Sequence, residues 1–461
     1  MMNSNPSQST IAAIATAHGT GGIAVIRLSG PESWRIAEIL CPSNDPLQHG
    51  HVHHRWLIDP VDGNLIDEVL VLAFKAPRSF TGEDCVELHC HGGFALTQLV
   101  LKLCLNAGAV MASAGEFSKR AVLNGRIDLS QAESILDLIH AEGEALIKAS
   151  VQNLRNNTHA VWVENTTEVI RTVQADMVAS IDFPDEVEEP SRSDLISPLL
   201  ALKNRLFEQI SQQKTQNLLR SGIKIAILGQ PNAGKSSLFN QLLASDRAIV
   251  TEFAGTTRDV LHERLTIKGI PVTLLDTAGL RNDASDPIER IGIERSWQAS
   301  EAAHIVLYVI DGCKNDYSED FETTQTLKNT VKTGLILLNK QDSPDFKPFL
   351  PDFTPNWPVL NFSTKTSKTL SELISWLESI VTEHVPSEGL NMLFSEREQA
   401  LLEAVTENIA QCVETLSSPS VPLDLSTVPL TDALLSLQAM LGRDTNEMVL
   451  DSVFARFCVG K

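Results

Sequence analysis

Hydrophobic residues along this chain change their spacing several times, and the changes divide it into segments. Over the first ~120 residues, short apolar runs predict strands because each is bounded by Gly, Pro or Asp. They are "GIAVIRLSG", "EVLVLAF" and "CVELHCHGG", and they suggest an α+β domain. From about Glu133 the spacing becomes helical, as in "AESILDLIHAEGEALIKASVQNL", with apolar residues at 135, 136, 138, 139, 145, 146 and 147. The acidic run "DFPDEVEEP" interrupts that region. After Gly222 the pattern turns to buried-strand runs, "IKIAILG", "PVTLLDTAG", "HIVLYVID" and "GLILLNK", at α/β spacing. Helical patterning returns from about Ser387. The pattern predicts an N-terminal α+β domain (1–124), a split all-α domain (125–221 and 385–461) and an inserted α/β domain (222–384). No internal repeat or low-complexity tract is visible.

Composition narrows the function classes. At 43% hydrophobic and 21% charged residues, the chain is an ordinary globular one of two to four domains. Its formal net charge of −21, from 58 acidic against 37 basic residues, excludes a global positive field for nucleic acid or anionic lipid. Any nucleic-acid contact is therefore local or delegated. Seven cysteines, at 41, 85, 90, 104, 313, 412 and 458, show no pairing rhythm and predict a reducing compartment, with the cytoplasm as the default. The apolar run Ile11 to Ala17 is too short for a membrane span, so no membrane association or secretion signal is expected.

The inserted domain carries the most specific chemistry. "GQPNAGKS", Gly229 to Ser236, follows a strand and opens a helix, which is the context a phosphate-binding loop requires. Backbone N–H groups curl around phosphates, Lys235 supplies positive charge and the Ser236 hydroxyl suits magnesium. Asn232, Ala233, Gly234, Lys235, Ser236 and Ser237 are the residues expected here.

"NKQD" after an apolar strand selects guanine: the Asp342 carboxylate accepts two donors of the base edge, beside Asn339 and Lys340. Ser363, Thr364 and Lys365 of "NFSTK" would complete the base pocket. Between them lie two segments with the character of switches. One holds Thr251, Glu252, Phe253, Ala254, Gly255, Thr256 and Thr257, where Thr257 would close on magnesium; the other is Asp276, Thr277, Ala278 and Gly279.

Leu280 stands where Ras-type enzymes place a water-orienting glutamine. An oxygen cage from Asn232, Thr251, Phe253 and Thr256 around potassium would replace an arginine finger, and Glu289 is the candidate for orienting water. Against these stand plainer readings: Asn232 as a helix cap, and Glu289 as solvated helix charge. The "HCH" at His89 to His91, with Cys85, invites a zinc reading, but strand alternation puts Cys90 opposite the two histidines.

Together with "SFTGEDCVELHCHGG", "AGEFSKRAVLNGRIDLSQAESILDLI", "DTAGLR…IERIGIERSW" and the final "FCVGK", these motifs resemble the tRNA modification GTPase family MnmE, also called TrmE, over essentially the full length. The resemblance implies an N-terminal domain that binds folate and forms a homodimer, and a Ras-like P-loop G domain that dimerises with triphosphate and potassium. It implies joint work with the FAD-bearing flavoprotein MnmG in a heterotetramer. The implied product is a carboxymethylaminomethyl or aminomethyl group on the wobble uridine of tRNA, with 5,10-methylene- or formyl-tetrahydrofolate as cofactor. By the same resemblance Arg27, Glu87, Arg126 and Lys461 match folate contacts, Arg126 standing where lysine is common. Ser236 and Thr257 match the magnesium positions, and Asn232, Thr251, Phe253 and Thr256 the potassium positions. Glu289 matches the catalytic residue. Cys458 is the candidate nucleophile or proton relay of "FCVGK", with a small buried packing residue as the alternative. A GTPase timer in ribosome or RNA assembly is the rival function.

Overall fold

The computed structural model describes residues 9–17, 19–141, 143–212, 217–218, 220–244, 262–276, 303–330, 333–348, 357–384, 392–443 and 446–460. The three N-terminal runs fold as β2, β4 and β5 of one six-stranded sheet: β1 (Ile11–Ile14), β2 (Ile23–Ser29), β3 (Val52–Ile58), β4 (Leu65–Phe74), β5 (Cys85–His91) and β6 (Val110–Met111). Their order is β3-β4-β5-β2-β1-β6, antiparallel except for the β1–β6 pair. Alternation decides which side chains are covered. Ala24, Ile26 and Leu28 of β2 and Val86, Leu88 and Cys90 of β5 share a core with Ile36 and Leu40 of α1 (Ser33–Leu40) and Val100 and Cys104 of α2 (Phe94–Asn106). The opposite face is open around Arg27, Glu87 and His89, and is covered near β1 by Phe117 of α3 (Glu116–Leu123), which packs with Ile11 and Ala13. Four helices follow: α4 (Leu129–His140), α5 (Glu144–Asn156), α6 (Thr158–Asp182) and α7 (Arg192–Ser211).

The helix-period stretch at 132–154 folds as two helices, α4 ending at His140 and α5 beginning at Glu144, with Gly143 before the second. Gly143 explains it: a Cβ there would stand 2.4 Å from the Gly269 carbonyl oxygen, so the chain needs a glycine at that close approach.

By compactness the chain forms two units. The second comprises residues 137–152 and 208–394, and the first comprises the rest. The second unit holds β7 (Ile223–Leu228), α8 (Lys235–Leu243), β8 (His262–Ile267), β9 (Ile270–Asp276), β10 (Ile305–Asp311), α9 (Ser318–Thr330), β11 (Thr333–Asn339), β12 (Val359–Asn361) and α10 (Ser367–His384). Its sheet order is β12-β11-β10-β7-β9-β8, parallel throughout except for the β8–β9 hairpin. The parallel strands are apolar along their length, β10 and β11 almost without a break, because helices cover both faces. Such a sheet aligns strand ends along one edge, where loops carry ligand-binding residues.

In the first unit, helices from both sides of the insertion meet: α4 and α6 against α11 (Glu396–Ser417) and α12 (Thr427–Met440), with α13 (Glu447–Phe454) beyond. A buried polar network joins them. Glu398 closes the capping box of α11 with Ser395 and also stands 3.0 Å from Nδ1 of His159, across 239 residues of sequence. Ser130 Oγ is 2.6 Å from the same ring nitrogen, and Asn153 Nδ2 donates to Ser130 and Ser134. Arg397 grips Glu133 with Nε and Nη2 at 3.1 and 2.7 Å, and donates to the carbonyls of Ala439 and Met440 in the last turn of α12.

Burial would raise the Glu398 carboxyl, but the charge and hydrogen bond of His159, with Arg397, outweigh it and hold the group below the usual carboxylate range. A carboxyl held low when folded contributes stability above its unfolded pKa of about 4.3 and loses that contribution as pH falls below it. Glu398→Gln should therefore cost about 3 kcal/mol near neutral pH. Thermal melting followed by circular dichroism at a series of pH values should show the gap between variant and unaltered chain narrowing as pH drops from 6 toward 3. A gap independent of pH would mean that Glu398 acts through shape alone.

Candidate functional site

The nucleotide loops of the second unit converge at the C-terminal edge of its parallel strands. Strand β7 is buried apart from Lys224 and delivers the chain to Gly229, whose φ of 141° and whose would-be Cβ, 2.1 Å from the Val309 carbonyl oxygen, admit only glycine. Asn232 takes φ 62°, a left-handed conformation that asparagine tolerates better than most residues, and its side chain is exposed. Gly234, at φ 107°, caps α8. Lys235 Nζ curls back to the carbonyls of Gly229 and Gln230 at 2.8 and 2.9 Å, which places an ammonium beside the loop. Ala233 is buried, while Ser236 and Ser237 are exposed in the first turn of α8. A helix N-terminus preceded by such a loop is an anion cradle.

At the end of β11, Asn339 is 1% exposed and its Nδ2 donates to the Ala233 carbonyl at 2.8 Å. The same side chain explains Gly234, since a Cβ there would lie 2.1 Å from Nδ2. Lys340, in a left-handed conformation at φ 69°, reaches Asp311 at 2.6 Å. Asp342 accepts from Ser363 Oγ at 2.7 Å and pairs with Lys365 Nζ at 2.9 Å. The Lys365 hydrogen bond, followed by that of Ser363, holds the Asp342 carboxyl below its ordinary value, so it stays an acceptor. The Thr364 carbonyl accepts from Gln241 on α8, which ties this loop to the phosphate-loop helix. The structure thus brings together the expected residues from 232–237, 339–342 and 363–365.

Asp276 ends β9 opposite Ile227, one strand away from the phosphate loop. Thr251, Glu252, Phe253, Ala254, Gly255, Thr256, Thr257, Thr277, Ala278, Gly279 and Glu289 lie outside the described residues.

The first unit holds a second constellation. Arg27 faces Glu87 directly in the β2–β5 register and donates to its Oε1 at 2.9 Å. Both residues and Arg126 line one cavity of about 520 Å³, together with Arg78, Phe80 and Cys85. The Arg27 guanidinium sits 5.5 Å from the Phe80 ring and 5.7 Å from that of Phe117, so aromatic faces steady the cation. Arg78, Phe80 and Cys85 were not anticipated; Phe80 and Cys85 lie inside the quoted "SFTGEDC" run and Arg78 directly before it, a signal in position but not in chemistry. Cys90 turns into the core, whereas His89 and His91 face the other way toward Glu87 and Asp67, 3.1 and 2.7 Å away.

Cys458 is exposed, not the buried packing residue that was its alternative. Its carbonyl accepts from the Gly115 N–H at 3.4 Å, and Val459 bridges Ala114. It is not among the residues lining the cavity. Lys461 lies outside the described residues.

Gly234→Ala should displace Asn339 and strain the loop, lowering guanine-nucleotide affinity at least about tenfold through one lost charge-cradling turn. Titration calorimetry with GDP checks this, and unaltered affinity would show that the loop tolerates a side chain there.

Two family models match consecutive stretches of the chain. Residues 10–126 match the family described as the GTP-binding protein TrmE N-terminus, and residues 129–458 match the MnmE helical domain. Among curated relatives, the tRNA modification GTPase MnmE of Thermotoga maritima is 37% identical over 98% of this chain and 100% of its own length. Its namesake from Cyanothece sp. is 39% identical over 99% of this chain and 100% of its own. Among solved structures, the G domain of the T. maritima FeoB iron transporter aligns with 35% of this chain and 98% of its own at 22% identity, with a TM-score of 0.26. With one family match spanning residues 129–458 and relatives aligned end to end, the chain belongs to the tRNA modification GTPase MnmE family.

Proposed function

We propose that this chain is a potassium-activated GTPase whose nucleotide cycle gates wobble-uridine modification of tRNA, carried out jointly with a flavoprotein. The observation that carries the reading is end-to-end similarity to tRNA modification GTPases in a chain whose three nucleotide loops are already tied to one another. Residues 222–384 act as the G domain, 1–124 as the folate-binding and dimerising domain, and 125–221 with 385–461 as the helical domain. Asp342 reads guanine, with Ser363 and Lys365 orienting its carboxylate, and Lys235 neutralises phosphate charge. Ser236 and Thr257 would hold magnesium, which supplies charge neutralisation across the phosphates. Asn232, Thr251, Phe253 and Thr256 would hold potassium in place of an arginine finger, and Glu289 would orient the water.

The cavity at Arg27, Glu87 and Arg126 suits a reduced folate, completed by Lys461. Cations fit an anionic glutamate tail, and a carboxylate fits a pterin donor edge. Three arginines and one carboxylate around about 520 Å³ support this reading. A flavoprotein of the MnmG kind, a homodimeric assembly and the cytoplasm belong to the same proposal. Among the described residues no helix is long and apolar enough to cross a membrane.

Hydrolysis should run more than about tenfold faster in potassium than in sodium at equal ionic strength, a modest part of what an arginine finger supplies. Asn232→Ala should erase the difference; equal rates for the unaltered chain would remove potassium from the mechanism.

Mass spectrometry of wobble nucleosides from cells lacking the protein should show the 5-substituent missing. Cells carrying Cys458→Ser should look the same while the purified variant still hydrolyses GTP. A normal wobble profile with stalled ribosomal subunits would favour the assembly-timer function instead, and full modification by Cys458→Ser would take the thiol out of the chemistry.

A further inference from the structure

The Arg27–Glu87 pair is one part of a longer row. Glu87 and His89 are two residues apart on β5 and so share a sheet face, the one turned away from Val86, Leu88 and Cys90. Arg27 occupies one carboxylate oxygen of Glu87, Oε1, at 2.9 Å. His89 Nε2 stands 3.1 Å from the other, Oε2. In the tautomer with its proton on Nε2, the ring donates to that oxygen.

A carboxylate held at one oxygen keeps freedom about its last torsion, whereas donors on both oxygens fix its plane. Arg27 Nη2 also stands 2.9 Å from Oε1, so both of its nitrogens bear on that oxygen, and the fixed plane sets the spacing of the acceptor capacity that remains on the two oxygens. His89 has little else to serve. Its cross-strand neighbours are Leu70 on β4 and Val25 on β2, neither of them polar, and the next histidine on its strand, His91, is paired with Asp67. The charged groups around the cavity besides Glu87 are Arg27, Arg78 and Arg126, all cations, so His89 adds a hydrogen-bond donor where charge is already supplied.

We propose that His89 is a positioning residue: it acts through Glu87, locking the carboxylate in the plane that receives two N–H donors of a ligand's planar ring edge. The proposal rests on reading the cavity as a folate site, and extends that reading to a residue that does not line it.

The test is equilibrium binding of 5-formyl-tetrahydrofolate to the full chain, by calorimetry or competition. His89→Leu should lower affinity about tenfold, the worth of one hydrogen bond to a charged group. His89→Gln, whose amide still donates, should stay within about threefold of the unaltered chain. In a Glu87→Gln background, His89→Leu should change affinity less than about twofold, because a residue acting through another has no effect once that partner is altered. Thermal melting of each variant identifies any that fail to fold. Normal binding by His89→Leu, equal losses for His89→Leu and His89→Gln, or an undiminished loss in the Glu87→Gln background would each overturn the positioning role. Absence of binding by the unaltered chain would overturn the folate reading itself, and the positioning role with it.

Discussion

The nucleotide site depends on one hydrogen bond, from Asn339 Nδ2 to the Ala233 carbonyl at 2.8 Å. It joins the end of β11, where the proposed base-reading residues begin, to the proposed phosphate loop after β7, across the sheet position of β10. Because the amide is buried, nothing bulkier than hydrogen fits at Gly234, and the left-handed turn there follows from the contact rather than from local preference. Gln241 is tied to Thr364 and Asp342 is held by Ser363 and Lys365, so protein contacts alone link the two candidate loops. Preorganisation of this kind reduces the ordering cost of binding.

A comparable economy holds the first unit together. Its helices come from chain segments on either side of the insertion, so no local sequence preference can align them. Arg397 and Glu398, adjacent on α11, do so by pairing with Glu133 and His159. Burying four such groups is costly unless each is satisfied, and here each has a named partner. The network sits in the same compact unit as the Arg27–Glu87 cavity.

The strand and helix pattern was legible wherever hydrophobic period and length agreed. "HIVLYVID" and "GLILLNK" became β10 and β11, and the alternation in "CVELHCH" placed Cys90 in the core as expected. The residues of the candidate nucleotide loops stood out because phosphate and guanine chemistry calls for particular residue types at short spacing, and the structure brings 232–237, 339–342 and 363–365 together. Arg27, Glu87 and Arg126 came to one cavity as family resemblance implied, yet their own sequence context is unremarkable. Illegible were contacts made across long separations. The break at Gly143 depends on Gly269, 126 positions away by their numbers in the chain, and the His159–Glu398 pair spans 239. Phe80 and Arg78 were missed because a side chain brought to a cavity by the fold leaves no motif, and His89 was read only as part of a metal-like cluster.

Guanine selection by the proposed constellation is tested most directly by titration calorimetry of the full chain with GDP and with ADP, in magnesium and at matched ionic strength. A site built to hydrogen-bond one base edge rejects a base that lacks the matching groups by large factors, so GDP should bind at least about 100-fold more tightly than ADP. Affinities within about threefold of each other would contradict the account, because Asn339, Asp342 and the loop at 363–365 would then not read the base.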